Sequence, residues 1–591
     1  MNRRLLALLL LLVGIVLAPQ VLQPFHVTLL NYVGLYSLVA LGLVVLTGVG
    51  GLTSFGQAAF VGIGAYATAV ISANLGLSPW LGLLVGLGIT LVVALLLGLL
   101  TLRLAGHYLP LGTLAWGLAL YYLFGNLPML GGFAGIADLP YIQFGDWTID
   151  SASDFTLIIG VLLVAVLWML GNLLDSRQGR AIRSLKEASG MAEAMGVNTM
   201  RSKLLAFVLA ALLAALSGWI YAHMQRIVNP TPFSVTMGIE YLFMIVLGGA
   251  ASLWGALVGA ALLTLFKQVL EDVLPQLLGG GGGTLELIVF GVLIILVLQY
   301  AKDGLLPLLQ KYLPSPKPRV LDLHDAEPLP RREPEPLRDN QPLLAADRLV
   351  KRFGGLVANN DMSLAVHAGQ VVALIGPNGA GKSTLFNLLT GVLPPTSGQV
   401  FFKGQRIDGL SPRAIASLGV SRTFQHVRLL PGMSVLENVA LGAHRRGNAG
   451  VLRALLRLDR AEERRLLAEA ARQIERVGLA DYMHTPAGSL ALGQQRIVEI
   501  ARALCSDPQM LLLDEPAAGL RYNEKQTLAC LLEQLREEGL GVLLVEHDMD
   551  FVMGLADHIV VMEFGQRLAT GSPMEIQDNP AVLAAYLGGV E

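Results

Sequence analysis

Nine residues constrain this chain more than any other stretch: Gly376, Pro377, Asn378, Gly379, Ala380, Gly381, Lys382, Ser383 and Thr384. Three spaced glycines followed by Lys-Ser-Thr make a loop whose backbone N–H groups can curl around one anion. The run before it, Val371 to Ile375, is short and continuously aliphatic, which predicts a buried parallel strand, and Leu385 to Thr390 resumes a helical apolar pattern. Strand, loop and helix in that order require an α/β core. Lys382 is placed to reach the outer phosphates of a nucleotide, the helix N-terminus adds its dipole, and Ser383 offers a hydroxyl to Mg²⁺.

That core cannot account for the whole chain. Of 591 residues, 54% are hydrophobic, too many for a wholly soluble protein of this length. The apolarity is uneven: residues 1 to 305 are dense in Leu, Val, Ala and Gly, and the charged residues concentrate beyond them. A net charge of −2 with no basic run argues against a nucleic-acid partner. The two cysteines, Cys505 and Cys530, lack metal-ligand spacing and read as reduced core thiols.

The apolar half divides into stretches near the length that crosses a bilayer. Met1-Asn2-Arg3-Arg4 followed by Leu5 to Ala18 reads as an uncleaved first span, because no small-x-small cleavage site follows. Further stretches lie at 27–49, 57–75, 80–102, 108–125, 155–174, 203–225 and 283–301, each near the roughly 20 residues needed. Arg3, Arg4, Arg103 and the cluster Arg177, Arg180, Arg183, Lys186 place their loops in the cytoplasm. The loop 126–154 carries Asp138, Asp146, Asp150 and Asp154 and neither Lys nor Arg, so it lies outside. For the soluble half to be cytoplasmic as well, the stretch 238–270 must cross twice, breaking near Gly248-Gly249-Ala250-Ala251-Ser252, or form a re-entrant pair. The expectation is about ten transmembrane helices.

Two features of this half invite a functional reading. Gly51 to Tyr66 is glycine-rich, which suits close helix packing and equally a broken segment lining a substrate path, with Ser54 and Gln57 as its polar atoms. The cytoplasmic loop 175–203 holds Glu187 to Val197, predicted as a short amphipathic helix ending at Gly196, either lying on the membrane or docking on a soluble engine. Residues 306–342 are rich in proline and charge and read as an extended linker to a domain at 343–591.

In that domain the candidate residues fall in a fixed order. Phe353 offers an aromatic ring for adenine. Gln425, in Arg422-Thr423-Phe424-Gln425, can meet Mg²⁺ and an attacking water. Leu490-Ala491-Leu492-Gly493-Gln494 opens a helix with Gly493 and Gln494 at a second anion site. Met510 to Leu513 is a buried strand ending in Asp514, suited to Mg²⁺, and Glu515, suited to polarising a water beside a γ-phosphate. A further strand, Val542 to Val545, leads to Glu546-His547-Asp548, where His547 can bond that phosphate or orient the nucleophile.

Taken in sequence, these elements resemble the nucleotide-binding domain of ABC transporters. The resemblance implies bound ATP and Mg²⁺, ATP hydrolysis, and two such domains paired head to tail, so that the signature of one closes over the phosphate loop of the other. Ala491 departs from the family's Leu-Ser-Gly-Gly-Gln, lacking the serine hydroxyl. Arg422 to Leu429 and Asn579 to Gly588 are similar to the ATP-binding subunit of ABC importers of branched-chain amino acids. Gly51 to Tyr66, Arg103 to Tyr108 and Tyr241 to Gly249 are similar to that system's permease. The implied protein is an α-helical polytopic membrane domain followed by an α/β P-loop ABC domain, in the bacterial cytoplasmic (inner) membrane. It would import an amino-acid substrate with a second permease and a second ABC ATPase, as separate chains or another copy, fed by an extracytoplasmic substrate-binding protein. A urea or amide importer of the same architecture, and an ATP-gated membrane sensor without transport, are the rival readings.

Overall fold

The computed structural model describes residues 3–104, 108–278, 283–301, 304–310, 323, 326–332 and 341–587. Much of the expected 306–342 linker, residues 105–107 of the Arg103 to Tyr108 motif, and Gly588 lie outside the described residues. The chain divides into two compact units, one comprising Met1–Lys186, Met200–Lys317 and Val451–Arg457, the other Glu187–Thr199, Pro318–Gly450 and Leu458–Glu591.

The first unit is helical. Its elements are α1 (Arg3–Val21), α2 (Pro24–Leu43, continued by a widened turn over Val44–Val49), α3 (Gln57–Ala69), α4 (Pro79–Thr101), α5 (Tyr108–Asn126), α6 (Ala152–Leu174) and α7 (Arg177–Glu187). After α8 (Ser189–Ala194), which belongs to the second unit, come α9 (Thr199–Gln225), α10 (Val235–Gly248), α11 (Leu253–Leu278), α12 (Gly283–Tyr300) and α13 (Leu305–Gln310). Local chemistry sets the starts: proline occupies the first turn of α2 and α4, where its missing N–H costs nothing, and Ser151 with Asp154 forms a reciprocal cap on α6.

Among the described residues, six helices are long and apolar enough to cross a membrane: α1, α2 with its continuation, α4, α6, α9 and α11. The break expected within 238–270 is present, with α10 ending at Gly248 and α11 beginning at Leu253. At 14 residues, α10 rises only about 21 Å against a hydrocarbon core of about 30 Å and is not among the six.

Charge marks the two ends of this unit. Arg4 pairs with Asp175 across the start of α1 and the end of α6, next to the basic α7. At the other end, β1 (Ile136–Ala137) of the acidic loop pairs with β4 (Ile227–Val228) after α9, and β2 (Ile142–Phe144) pairs with β3 (Trp147–Ile149). The basic end is the cytoplasmic one.

Several helix crossings bring backbone onto backbone. A Cβ at Gly64 of α3 would stand 2.1 Å from Ala215 O of α9, and one at Gly218 of α9 would stand 1.9 Å from Val61 O of α3. In the α10–α11 hairpin, a Cβ at Gly259 would meet Met244 O at 1.7 Å. The glycines around α3 therefore serve close packing. Gln57 and Ser54 are fully buried, not part of a wide path: Ser54 lines a void of about 10 Å³, room for one water.

The second unit is α/β. Its strands are β5 (Leu344–Phe353), β6 (Leu356–Val366), β7 (Val371–Ile375), β8 (Ser397–Phe402), β9 (Gln405–Arg406), β10 (Val420–Arg422), β11 (Met510–Asp514), β12 (Gly541–Val545), β13 (His558–Glu563) and β14 (Gln566–Gly571). The helices are α14 (Lys382–Leu389), α15 (Pro412–Leu418), α16 (Val435–Ala440), α18 (Arg460–Arg476), α19 (Leu492–Leu504), α20 (Tyr522–Glu537), α21 (Met549–Leu555), α22 (Pro573–Gln577) and α23 (Pro580–Leu587); α17 (Val451–Leu455) falls in the first unit. A six-stranded sheet runs β10-β11-β12-β7-β13-β14, parallel except for β14, and a four-stranded antiparallel sheet runs β6-β5-β8-β9. Strands β7, β11 and β12 are buried along their whole length, as expected of parallel strands covered on both faces.

Two expectations meet the structure here. The segment ending at Gly196 does form a short helix, α8, which packs on α15, and Gly196 adopts φ +83°. Of the cysteines only Cys505 is a core thiol; Cys530 is exposed, because it sits on the outer face of the amphipathic α20.

Candidate ATP site

The site is assembled at the C-terminal ends of the parallel strands, where open α/β sheets bind ligands. Gly376 leaves β7 at φ +152°, and a Cβ there would stand 2.1 Å from Met562 O of β13. Gly381, at φ +95°, immediately precedes α14; a Cβ there would meet Ala358 O of β6 at 2.3 Å. Both positions therefore exclude any side chain. Between them Pro377, Asn378 and Gly379 reach the surface, while Ala380 is buried and donates no side-chain polarity.

Lys382, 7% exposed, folds back so that Nζ donates to Gly376 O at 2.7 Å and Pro377 O at 3.0 Å. Burial pulls its pKa down, and the Glu515 and Asp514 carboxylates oppose that shift. The ammonium thus rests on carbonyls from which an incoming phosphate can draw it. Ser383 is exposed and Thr384 partly so, both in the first turn of α14.

Asp514 ends β11. Its backbone N–H donates to Thr423 Oγ1 at 3.1 Å, and its Oδ1 is buried with no hydrogen-bond partner among the described residues. Burial raises its pKa, Arg422 lowers it and Glu515 raises it again. An orphaned buried carboxylate oxygen at the end of β11 and an exposed serine hydroxyl at the start of α14 are oxygen ligands of the kind a hard cation takes. Arg422 is held away from the opening by Asn387 Oδ1 and Thr390 Oγ1 and by the Phe424 ring, 4.7 Å from its guanidinium carbon.

Glu515 is the point on which the other groups converge. It adopts φ +51°, a left-handed conformation uncommon for glutamate, and its N–H donates to Val545 O at 2.9 Å. Its Oε1 accepts from Gln425 Nε2 at 3.1 Å and lies 3.3 Å from His547 Nε2. Three candidates from three separate strand ends, Gln425 after β10, Glu515 after β11 and His547 after β12, thus meet at one oxygen.

Four further residues hold this arrangement. Glu546, 2% exposed, accepts from Ala517 N at 2.6 Å and His547 N at 3.1 Å, tying the segments after β11 and β12 together; burial raises its pKa and those bonds oppose the shift. Arg496 donates to Glu515 O at 2.8 Å from α19. Thr423 caps the Asp514 N–H. Asn359 of β6, fully buried, donates to Gly381 O at 3.3 Å and keeps Oδ1 unpartnered. Glu546 stood beside His547 in the sequence; Asn359 lies in a strand with Asn360, Asp361 and Ser363 and carries no local signal that sets it apart from them.

Three candidates stand apart from this cluster. Phe353 lies at the β5–β6 turn, 45% exposed, with Lys351 Nζ 5.1 Å from its ring centre. Gly493 and Gln494 open α19 and make no hydrogen bond to residues 376–384 among the described residues. A Cβ on Gly493 would meet Leu520 Cδ2 at 3.0 Å, and Gln494 Oε1 accepts from Ala491 N at 3.2 Å. Ala491 itself supplies no side-chain acceptor to the helix start.

A glycine loop shaped to take an anion, two strand-end carboxylates and a signature helix, on a chain that also carries a polytopic helical unit, define an ABC transporter with membrane and ATPase regions on one polypeptide. Residues 25–298 match the family described as branched-chain amino acid transport system / permease component, 359–518 match ABC transporter, and 566–591 match branched-chain amino acid ATP-binding cassette transporter. Over 252 residues the chain is 47% identical to the high-affinity branched-chain amino acid transport ATP-binding protein BraF of Pseudomonas aeruginosa, covering 42% of this chain and 99% of that protein. It is 45% identical to LivG of Escherichia coli (strain K12) over the same length and shares. A solved ATP-binding cassette of an ABC transporter, in its ADP conformation, is 33% identical over 42% of this chain and 100% of its own, with a TM-score of 0.38. The chain belongs to the branched-chain amino acid ABC transporter family, as a fusion of permease and ATPase.

Proposed function

We propose that the protein imports branched-chain amino acids across the bacterial inner membrane, driven by ATP hydrolysis in its own second unit. The observation that carries this reading is the fusion itself: a permease region at 25–298 and an ATPase region at 359–518 in one chain. The proposed organisation is a membrane domain over 1–305 with ten passes, a linker over 306–342 and an ABC domain over 343–591. A second permease, a second ATPase and an extracytoplasmic binding protein complete the machine.

In the proposed reaction, Gly376 to Thr384 wrap the phosphates with backbone N–H groups while Lys382 moves from its two carbonyls to the β- and γ-phosphates. Phe353 packs on adenine. Ser383, Gln425 and Asp514 are the residues that would hold Mg²⁺, which would supply positive charge against the charge developing on the phosphates. Glu515 takes a proton from the water attacking the γ-phosphorus, the bond to the bridging oxygen breaks, and ADP leaves with phosphate. His547 orients the γ-phosphate and Glu515. Gly493 and Gln494 of a facing subunit close the site, and α8 transmits that closure.

The experiment is uptake of labelled L-leucine into proteoliposomes holding the co-purified native complex, its binding protein and internal ATP. ATP-dependent uptake is expected, and Glu515→Gln is expected to retain nucleotide binding while turnover falls by about 10²–10⁴, the usual contribution of a general base. Uptake that ignores ATP, or an unchanged ATPase rate in the variant, refutes the reading.

A further inference from the structure

The first unit contains a cavity of about 460 Å³ between α2, α10 and α11, within the size range of small-molecule sites. Its walls include four tyrosines, Tyr32, Tyr36, Tyr221 and Tyr241, and an apolar lining that includes Leu35, Phe233, Met244 and Leu263. Across it lies an ion pair. Lys267 Nζ of α11 donates to both carboxylate oxygens of Glu240 of α10, at 2.9 and 3.1 Å. Glu271, one turn beyond Lys267 on α11, also lines the cavity.

Position argues against a chance surface pair. Glu240 is 8% exposed. Lys267 lies about 21 Å along α11 from its start, inside the stretch Leu253–Val273 that is long and apolar enough to cross a membrane. Ionisable residues at that depth are costly, and they mark substrate or ion paths. The cavity lies toward the acidic-loop end of the unit: its α2 residues occupy the first turns of that helix, where Asn31 Nδ2 donates to Ala152 O at the start of α6. That is the side from which a delivered solute arrives.

We propose that this cavity binds the zwitterionic end of a free α-amino acid by partner exchange with the Glu240–Lys267 pair. The proposal rests on the importer reading and names the chemistry its substrate must have. With the cavity empty, each charge neutralises the other. A zwitterion brings one ammonium and one carboxylate: the carboxylate takes Lys267, whose side chain is 33% exposed, the ammonium takes the buried Glu240, and neither charge is left alone. An amine without a carboxylate strands Lys267, an acid without an amine strands Glu240, and either stranded charge is strongly unfavourable in such a place. Urea and amides have no charge with which to open the pair. The apolar wall accommodates an aliphatic side chain. Because ion pairs are exchanged and not added, binding stays shallow, which suits a site that must also release.

The test uses the full chain with its co-purified partner subunits in lipid nanodiscs, without a binding protein. Met237→Cys places a thiol on the cavity wall in a chain with Cys505→Ser and Cys530→Ser, and a soluble maleimide reports its access. Saturating L-leucine is expected to slow labelling about fivefold or more, and leucinamide, 4-methylpentanoate and urea less than about twofold. Lys267→Met is expected to remove the protection. Equal protection by urea or leucinamide, no protection by leucine, or full protection in Lys267→Met overturns the proposal. ATP-driven leucine uptake by a preparation that leucine does not protect removes this subsite and leaves the importer reading standing; protection without uptake removes the importer reading instead.

Discussion

Ala491→Ser should stabilise the start of the signature helix, by an amount that can be worked from the rest of the molecule. Ala491 sits at the N-cap of α19 with φ −62° and ψ 151°. Three serines of the second unit occupy the same position on other helices with nearly the same backbone: Ser411 (−68°, 154°), Ser434 (−63°, 162°) and Ser572 (−65°, 161°). Each accepts from the backbone N–H three residues on, at 3.3, 3.2 and 3.4 Å. A serine at 491 would therefore accept from Gln494 N at a similar distance. The returning half of the reciprocal cap, Gln494 Oε1 to the 491 N–H, is already made at 3.2 Å, so no new ordering of Gln494 is required. Exchanging alanine for serine at such a cap contributes about 1 kcal/mol. As an opening free energy, that slows amide exchange about fivefold. The assay is hydrogen exchange of the intact chain, read on peptides covering Leu492 to Leu504. Unchanged or faster exchange there, with peptides over α15 and α16 as internal standards, refutes the capping argument.

Two further outcomes follow from the site and its support. Gly381→Ala forces a left-handed alanine whose Cβ lies 2.3 Å from a β6 carbonyl; a cost of about 2 kcal/mol or more lowers nucleotide affinity roughly thirtyfold, measured by fluorescent ATP titration, and parental affinity would contradict it. Arg502→Met leaves Glu499 buried without its 2.9 Å partner and should destabilise the second unit by about 3–5 kcal/mol, while the double change with Glu499→Gln should restore most of that loss in denaturant unfolding; equal losses in the single and double variants would show the pair is not coupled.

The phosphate loop, β7, β11 and β12 were legible because parallel strands buried on both faces are written as unbroken aliphatic runs, and because the loop's backbone needs glycine where no Cβ fits. The meeting of Gln425, Glu515 and His547 followed from three strand ends in one sheet. Asn359 was not legible, since its partner Gly381 lies 22 residues away and only pairing of β6 beside α14 joins them. The α10–α11 break was readable in Gly248-Gly249, yet the charges of Glu240 and Lys267 disappeared within a stretch read for its apolarity, because a pair 27 residues apart has no local signature. Gln57 and Ser54 attracted notice by polarity alone, and the structure buries both, with their polar atoms unpartnered among the described residues.

The glycine crossings of the membrane unit have a mechanical consequence. Where Gly64 and Gly218 seat α3 and α9 directly on each other's carbonyls, and Gly259 does the same for α11 on α10, there is no compressible side-chain layer to slide over. Each such pair behaves as one solid part. Relative movement is left to the seams filled with side chains, and one such seam holds the tyrosine-lined cavity between α2 and the α10–α11 hairpin. The unit is therefore built from a few rigid helix pairs, and any change in the cavity's shape falls on the side-chain seams between them.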